Sequence, residues 1–317
     1  MHPGTSAEMP LNHPRGIRRP IWDLGSDVTG SRLAVILLLP SLLVLLVLVG
    51  GAMLGAGLLS VSDLVVAGGS VSLVFVGLRN FAAFLNDPRL HQTILQTLLF
   101  TSCRVSGVIL IGIALAMLLN RSARGVGLLK RLFLLPWALS FVVNGLIWGW
   151  LFSGNFGLVN ASLSALGLIA EYRSWLSDPQ TAMGVIILGD VWKATPFVAL
   201  MFLAGLQGLP RDIEDAAEVD GAGPMAKFRY ITIPWLKPVL LVVLVLETTW
   251  SLKTFDIIWV LTQGGPLDTT MVLNVYAYQQ TFQFMKFGYG ASIGVLILAL
   301  NLLLALAYFR TLRSFEA

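Results

Sequence analysis

Apolar and polar positions fall in blocks along this chain: runs of twenty or more almost wholly apolar residues alternate with shorter segments rich in Pro, Gly and charge. Such runs have neither the strict alternation of a half-buried strand nor the polar stripe of a globular surface helix. A hydrocarbon layer of about 30 Å is crossed by roughly 20 apolar residues in helical form. Six segments meet that length, near 33–59, 93–119, 132–152, 181–206, 236–262 and 288–309, and each predicts a transmembrane helix. A seventh stretch, LVVAGGSVSLVFVGL at 64–78, is short, contains three glycines and leans toward β-branched residues. It is expected to be an extracytoplasmic segment packed against protein.

Composition agrees: 56% of the 317 residues are hydrophobic and 12% charged, with a mean hydropathy of +0.80, which excludes a soluble globular chain. Cys103 is the single cysteine, so no intrachain disulfide can form. The net charge of +4 matters less than its distribution. With six spans, segments 1–32, 119–132, 207–237 and 308–317 share one side and hold fourteen Lys and Arg, whereas the opposite loops hold four: Arg79, Arg89, Arg173 and Lys286. The excess marks the cytoplasmic side, with both termini inside. Counting 64–78 as a span would move Arg121, Arg124, Lys130 and Arg131 across and destroy the bias.

The expected organisation is a disordered cytoplasmic tail at 1–32, a first span at 33–59, an extracytoplasmic segment at 60–92, a five-helix core at 93–310 and a short cytoplasmic tail at 311–317. The N-terminal tail lacks the short apolar core of a cleaved signal peptide. His2 and His13 lie in that tail and His91 at the outer end of the second span, so no metal site is expected. No G-x₄-G-K-[S/T] run occurs, and no nucleophile with a base, so no catalytic residue is assigned.

Between the fourth and fifth spans lies the most polar run, IEDAAEVDGAGPMAKFRYITIPWLKP, residues 213–238. Asp212 to Asp220 reads as a short helix that Gly221 ends, and Gly223-Pro224 opens a second, stopped by Pro234. An amphipathic connector in the lipid headgroups is one reading. Five acids in nine residues, Asp212, Glu214, Asp215, Glu218 and Asp220, oppose it, because an anionic inner leaflet disfavours them. A protein partner suits such a helix better.

The spacing Asp215-Ala216-Ala217, three residues, Gly221, nine residues, Ile231-x-Ile233-Pro234 resembles the E-A-A-x₃-G-x₉-I-x-L-P loop of permease subunits of bacterial ABC importers, with Asp for Glu and Ile for Leu. LPRDIEDAAEVDGAG, FDIIWVLTQGGPLDTT and FVGLRNFAAFLNDP resemble the carbohydrate-uptake branch, of maltose and glycerol-phosphate type, and the similarity runs from about residue 75 to 310. The resemblance implies an all-α integral membrane protein of six transmembrane helices, type I importer permease-like, in a bacterial inner membrane. It implies a cytoplasmic helix-turn-helix coupling loop, with Glu214, Asp215, Ala216, Ala217, Asp220, Gly221, Ile231 and Pro234 docking into an ATPase. The implied partners are a second permease, two ATP-binding subunits that carry the ATP and Mg, an extracytoplasmic solute-binding protein, a sugar-like substrate and membrane lipid. No cofactor in this chain and no nucleic acid are implied.

Six ionisable residues fall within the predicted spans: Arg104, Asp190, Lys193, Glu247, Lys253 and Asp256. Each costs at least about 2.5–3.5 kcal/mol at the centre of a lipid-facing helix, so they should face the bundle interior, a cavity or one another. Their depths permit two pairs, Arg104 with Glu247 and Asp190 with Lys253. The stretch TTWSLKTFDIIW, 248–259, adds hydroxyls and rings at membrane depth. That mixture suits a sugar, whose hydroxyls need directional partners and whose C–H face needs a flat apolar surface. The substrate-pathway candidates are Trp192, Trp250, Ser251, Lys253, Thr254, Phe255 and Asp256. Helical spacing should set Trp250 beside Thr254 and Ser251 beside Phe255. Pro196 is expected to break or kink the fourth span. A second function remains open at this point: an ion-gradient-driven secondary transporter that uses the intramembrane charges as a relay.

Overall fold

The computed structural model describes residues 28–67, 70–120, 127 and 132–316. The predicted tail at 1–32 therefore lies almost wholly outside the described residues, as does most of the basic loop at 119–132. The chain divides into two compact units, residues 1–55 and 56–317. In the first, α1 (Val28–Leu45) passes through a π-helical turn, Leu46–Gly50, into α2 (Gly51–Ser60), whose last five residues belong to the second. Its apolar side chains from Val35 to Val49 are exposed on every face, as suits a helix bathed in lipid.

In the second unit α2 is followed by an antiparallel strand pair, β1 (Ser62–Ala67) and β2 (Ser70–Phe75), in register Ser62 to Phe75 and Ala67 to Ser70. The β-branched stretch at 64–78 thus forms a strand pair instead of a span. Asn80, in the short helix α3 (Arg79–Ala82), donates to the carbonyls of Ser60 and Ser62, and Arg79 pairs with Asp63. Then α4 (Pro88–Leu119) begins five residues before the apolar run does. Asp87 caps it by accepting from the Leu90 N–H at 3.1 Å, and Pro88 occupies the first turn, where no N–H is needed.

The segment expected to span at 132–152 is broken. A short α5 (Leu135–Ala138) gives way to extended backbone at Leu139 and Ser140, and Ser140 Oγ then caps α6 (Phe141–Leu151) by accepting from the Val143 N–H at 3.2 Å. After α6, α7 (Leu158–Ala165) carries Asn160, whose side chain bonds the backbone of Ser153 and Arg173 and the Trp175 indole, fixing the loop. The fourth span, α8 (Ala182–Gln207), runs unbroken through Pro196. A helical pair follows, α9 (Arg211–Val219) and α10 (Pro224–Lys227).

Pro234 does not stop the second of these helices. A π-helical turn, Phe228–Thr232, joins α10 to α11 (Ile233–Leu252), and Pro224–Leu252 is one continuous run. The shifted ladder of the π turn absorbs the hydrogen bond that Pro234 cannot make. The fifth span, in turn, ends early at Leu252, and Lys253, Thr254 and Phe255 leave the helix before α12 (Asp256–Leu261). A tight turn at Gly264, Gly265 and Pro266 leads to α13 (Leu273–Tyr278), a π turn at Gln279–Gln283, and α14 (Phe287–Glu316). Among the described residues five helices are long and apolar enough to cross a membrane, against six expected; the sixth segment is the one interrupted at Ser140.

Helices α4, α8 and α11 form the centre. They approach closely where side chains are small: a Cβ on Gly112 of α4 would lie 2.8 Å from Val198 Cγ1 of α8. Two apolar clusters stack along them. One gathers Leu90, Phe100, Ile186, Ile257, Tyr276 and Ile293, and the other Val108, Ile113, Val198, Phe202, Leu236 and Val243. Because lipid tails are as apolar as these side chains, the clusters hold the helices together by close van der Waals packing and not by removal from water. Between the clusters, at Arg104, Asp190 and Glu247, the apolar packing gives way to charge.

Candidate functional site

Arg104, Asp190 and Glu247 are 4%, 1% and 1% exposed. Arg104 Nε donates to Asp190 Oδ2 at 2.8 Å, while Nη1 donates to Glu247 Oε2 at 2.7 Å and to the Glu247 carbonyl at 3.1 Å. The Arg104–Glu247 pair is as expected; the Asp190–Lys253 pair is not formed. A guanidinium fork serves two carboxylates at once, and the helix break takes Lys253 out of the register from which its pair was expected. Glu247 Oε1 has no partner among the described residues, an acceptor left open.

This triad forms one wall of a cavity of about 570 Å³. Three features of the backbone shape it. The interruption at Leu139 and Ser140 turns Trp137 and Phe141 inward, α8 supplies Lys193 and Phe197, and the end of α11 supplies Trp250 and then Lys253, Thr254, Phe255 and Asp256. The rings form a continuous surface. Trp137 stacks on Phe197 with centroids 5.6 Å apart, and Phe197 meets Trp250 at 5.4 Å. Lys193 Nζ donates to the Trp137 carbonyl at 3.2 Å and sits 4.3 Å from the Phe141 ring centre. Lys253 makes no ion pair among the described residues.

Five of the seven predicted pathway residues therefore line one cavity. Two do not. Ser251 is buried and donates to Thr101 Oγ1 at 3.1 Å, tying α11 to α4. Trp192 turns away from the cavity, edge-on to Trp148 at 6.2 Å and 41% exposed. Thr254 and Phe255 lie beyond the helix end, yet Thr254 stays beside Trp250, its Oγ1 donating to the Trp250 carbonyl at 3.3 Å. Sequence reasoning missed Trp137, Phe141 and Phe197; the available signal was Ser140, a helix-capping residue inside an apolar run. Among the described residues no cluster of His, Cys, Asp and Glu could hold a metal ion.

The loop after α8 forms a second candidate site. Asp212 and Glu214 occupy the first turn of α9, where the helix dipole favours acids. At its other end Gly221 has φ of +76°; its N–H reaches the Glu218 carbonyl at 3.0 Å, and the Ala222 N–H reaches Ala217 at 2.9 Å. That pair of bonds is a Schellman cap, which needs a left-handed residue at the turn. Lys227 of α10 bonds Glu218 at 2.6 Å, and this hydrogen bond and the nearby ammonium hold the Glu218 carboxyl below its usual range. Ala217 is buried, while Asp215, Ala216 and Asp220 are exposed. Ile213, Val219 and Met225 are 41%, 89% and 75% exposed, so the helical pair presents acids and apolar side chains together. Ile231 and Pro234 sit in the continuous helix beyond, not in the turn.

A third cluster, not foreseen, lies at the start of α4. Asp87 accepts hydrogen bonds from Tyr276 and Tyr289, and Arg89 makes two to Asp268 at 2.8 Å. Burial would lift the Asp87 carboxyl, but the two phenols and the Leu90 N–H outweigh it and hold it below its ordinary value. These bonds bind α4, α13 and α14 together at one end of the bundle.

Residues 108–314 match the family described as "Binding-protein-dependent transport system inner membrane component". The chain is 36% identical over 295 residues to the sulfoquinovosyl glycerol transport system permease protein SmoG of Agrobacterium fabrum, covering 93% of this chain and 95% of that one. It is 37% identical over 236 residues to the trehalose/maltose transport system permease protein MalF of Thermococcus litoralis, covering 74% and 79%. A chain in the crystal structure of a bacterial ABC transporter involved in the import of the acidic polysaccharide alginate has the same fold, with a TM-score of 0.79 at 21% identity over 93% of this chain and 100% of that one. An interior cavity beside a paired charge network and an exposed, capped helical pair thus belong to a chain that aligns with these permeases over most of its length. The protein is a member of the binding-protein-dependent transport system inner membrane component family, a membrane permease.

Proposed function

We propose that this permease works with a second permease and two ATP-binding subunits as an importer of a sugar or related polyol, delivered by an extracytoplasmic binding protein. The observation that carries the proposal is the break in α11 at Lys253–Phe255, which turns ammonium, hydroxyl and carboxylate groups into a cavity walled by Trp137, Phe197 and Trp250. A cavity of this size holds a ligand of some tens of atoms. Relatives named for sulfoquinovosyl glycerol, trehalose/maltose and lactose support the sugar class. Family membership does not favour the ion-gradient reading, and neither does the network: Arg104 engages both buried carboxylates at once.

In this reading α9 and α10 dock into an ATP-binding subunit, which holds the ATP and Mg. The positive-charge bias supports a cytoplasmic position for that loop and both termini. With Cys103 replaced by Ala, a cysteine at Ser177 is expected to react with a membrane-impermeant thiol reagent in intact cells, and one at Ser122 to resist it. Reversed labelling contradicts the orientation. The driving force is tested in proteoliposomes: this chain with its partners, ATP inside and binding protein outside, is expected to accumulate sulfoquinovosyl glycerol, trehalose, maltose or lactose. Accumulation by this chain alone under an ion gradient would refute the proposal.

A further inference from the structure

Beyond the central cavity, and sharing a wall with it, lies a second cleft of about 320 Å³ lined by Lys253, Phe255, Asn274, Tyr278, Thr281 and Phe282. Lys253 and Phe255 face both spaces. The shared wall is built, because Asn274 Nδ2 donates to the Leu252 carbonyl at 2.6 Å and reaches that of Thr254 at 3.5 Å. It thereby caps carbonyls that the end of α11 would otherwise leave bare. The base of α13 is anchored in turn: the Leu273 N–H donates to Thr97 Oγ1 of α4 at 3.0 Å.

From that wall a line of rings leads outward. Phe255 stacks on Trp259 at 5.4 Å and tilts against Tyr278 at 5.2 Å, and Tyr278 meets Phe282 at 5.1 Å. Tyr278 is 37% and Phe282 59% exposed. The aromatic surface of the cavity thus continues into the cleft through Phe255, with the Lys253 ammonium, unpaired among the described residues, at the junction. Flat apolar faces with a few polar groups along one edge fit a ring of C–H and hydroxyl groups.

We propose that the cleft is a second subsite, in which Tyr278 and Phe282 carry the second unit of a glycoside whose first unit lies in the central cavity, and Lys253 hydrogen-bonds oxygens near the linkage. This rests on the sugar reading of the cavity and narrows the substrate to glycosides with at least two hydroxylated units. The probes are sulfoquinovosyl glycerol, trehalose, maltose and lactose, each compared with its methyl monoglycoside, in proteoliposomes of the complete transporter with its binding protein.

Tyr278→Ala and Phe282→Ala, with Tyr278→Leu as the variant that keeps apolar bulk, are expected to raise the half-saturating concentration for uptake of a two-unit probe about three- to tenfold, as loss of a stacked ring does. Trp250→Ala should raise it as well. If Trp250→Ala acts and the Tyr278 and Phe282 variants do not, the subsite is refuted and the cavity reading stands. If none of them acts, both fail. Disassembly of the complex on size exclusion by both alanine variants would make this face a subunit contact and overturn the subsite, as would uptake confined to the monoglycosides or to none of the probes.

Discussion

Replacing Arg104 with Met is expected to cost the folded protein roughly 3–5 kcal/mol, seen as a sharp fall in the thermal unfolding midpoint of the purified complex in nanodiscs. The variant leaves Asp190 and Glu247, 1% exposed each, without their shared cation and with like charges close together. Removing one partner of a buried ionic network is costly because it strands the others, whatever the net worth of the intact network. Two controls separate this cause from lost packing. Arg104→Lys keeps the charge but not the fork, so it should recover only part of the loss. Arg104→Met combined with Asp190→Asn and Glu247→Gln should recover more, since no charge is then left stranded. An unfolding midpoint in Arg104→Met equal to that of the unsubstituted protein would show that the network is not what holds α4, α8 and α11 in register.

The second large effect is on coupling. Gly221→Val is expected to lower ATP hydrolysis stimulated by the binding protein at least tenfold while the complex still assembles. A Cβ at Gly221 would meet nothing within 4 Å, so the damage is conformational and not a clash. The residue sits at φ +76°, and a β-branched side chain there is strained by about 1–3 kcal/mol. Relief requires unwinding the Schellman cap, which swings α9 relative to α10 and breaks the Glu218–Lys227 contact. Asn tolerates left-handed backbone, so Gly221→Asn should retain most of the stimulation. Equal stimulation in the Val variant would mean that the angle between these helices does not matter for docking.

The bodies of α4, α8, α11 and α14 were legible because a long apolar run has few alternatives to a membrane helix. The helical pair after α8 was legible from acids, Gly221 and Pro224, all local signals. The breaks at Ser140 and Lys253 were not: a lone Ser140 inside an apolar run was the one local sign of the first, and the partner that caps the second lies elsewhere in the chain. Asn274, twenty-two residues downstream, caps the Leu252 carbonyl at the end of α11. The triad was half legible. Depth along the spans paired Arg104 with Glu247 but could not show that α4 starts at Pro88, nor that one guanidinium reaches Asp190 as well. The cavity followed the same pattern: Trp250, Lys253, Thr254, Phe255 and Asp256 were recognisable by their chemistry, whereas Trp137 and Phe197 looked like any other apolar residue until the fold stacked them.

The most direct test of the account is the half-saturating concentration for ATP-driven uptake in proteoliposomes containing the complete transporter, with Trp250→Ala or Thr254→Ala in this chain and an unaltered binding protein. Both side chains line the cavity, and Thr254 lies in the break that defines it. Loss of the Trp250 ring is expected to raise the half-saturating concentration about three- to tenfold, by removing a stacking face. Loss of the Thr254 hydroxyl is expected to raise it about two- to tenfold, by removing one hydrogen bond. The order of preference among sulfoquinovosyl glycerol, trehalose, maltose and lactose should shift as well. Unchanged half-saturation and unchanged preference in both variants would contradict the assignment of this cavity to the transported sugar.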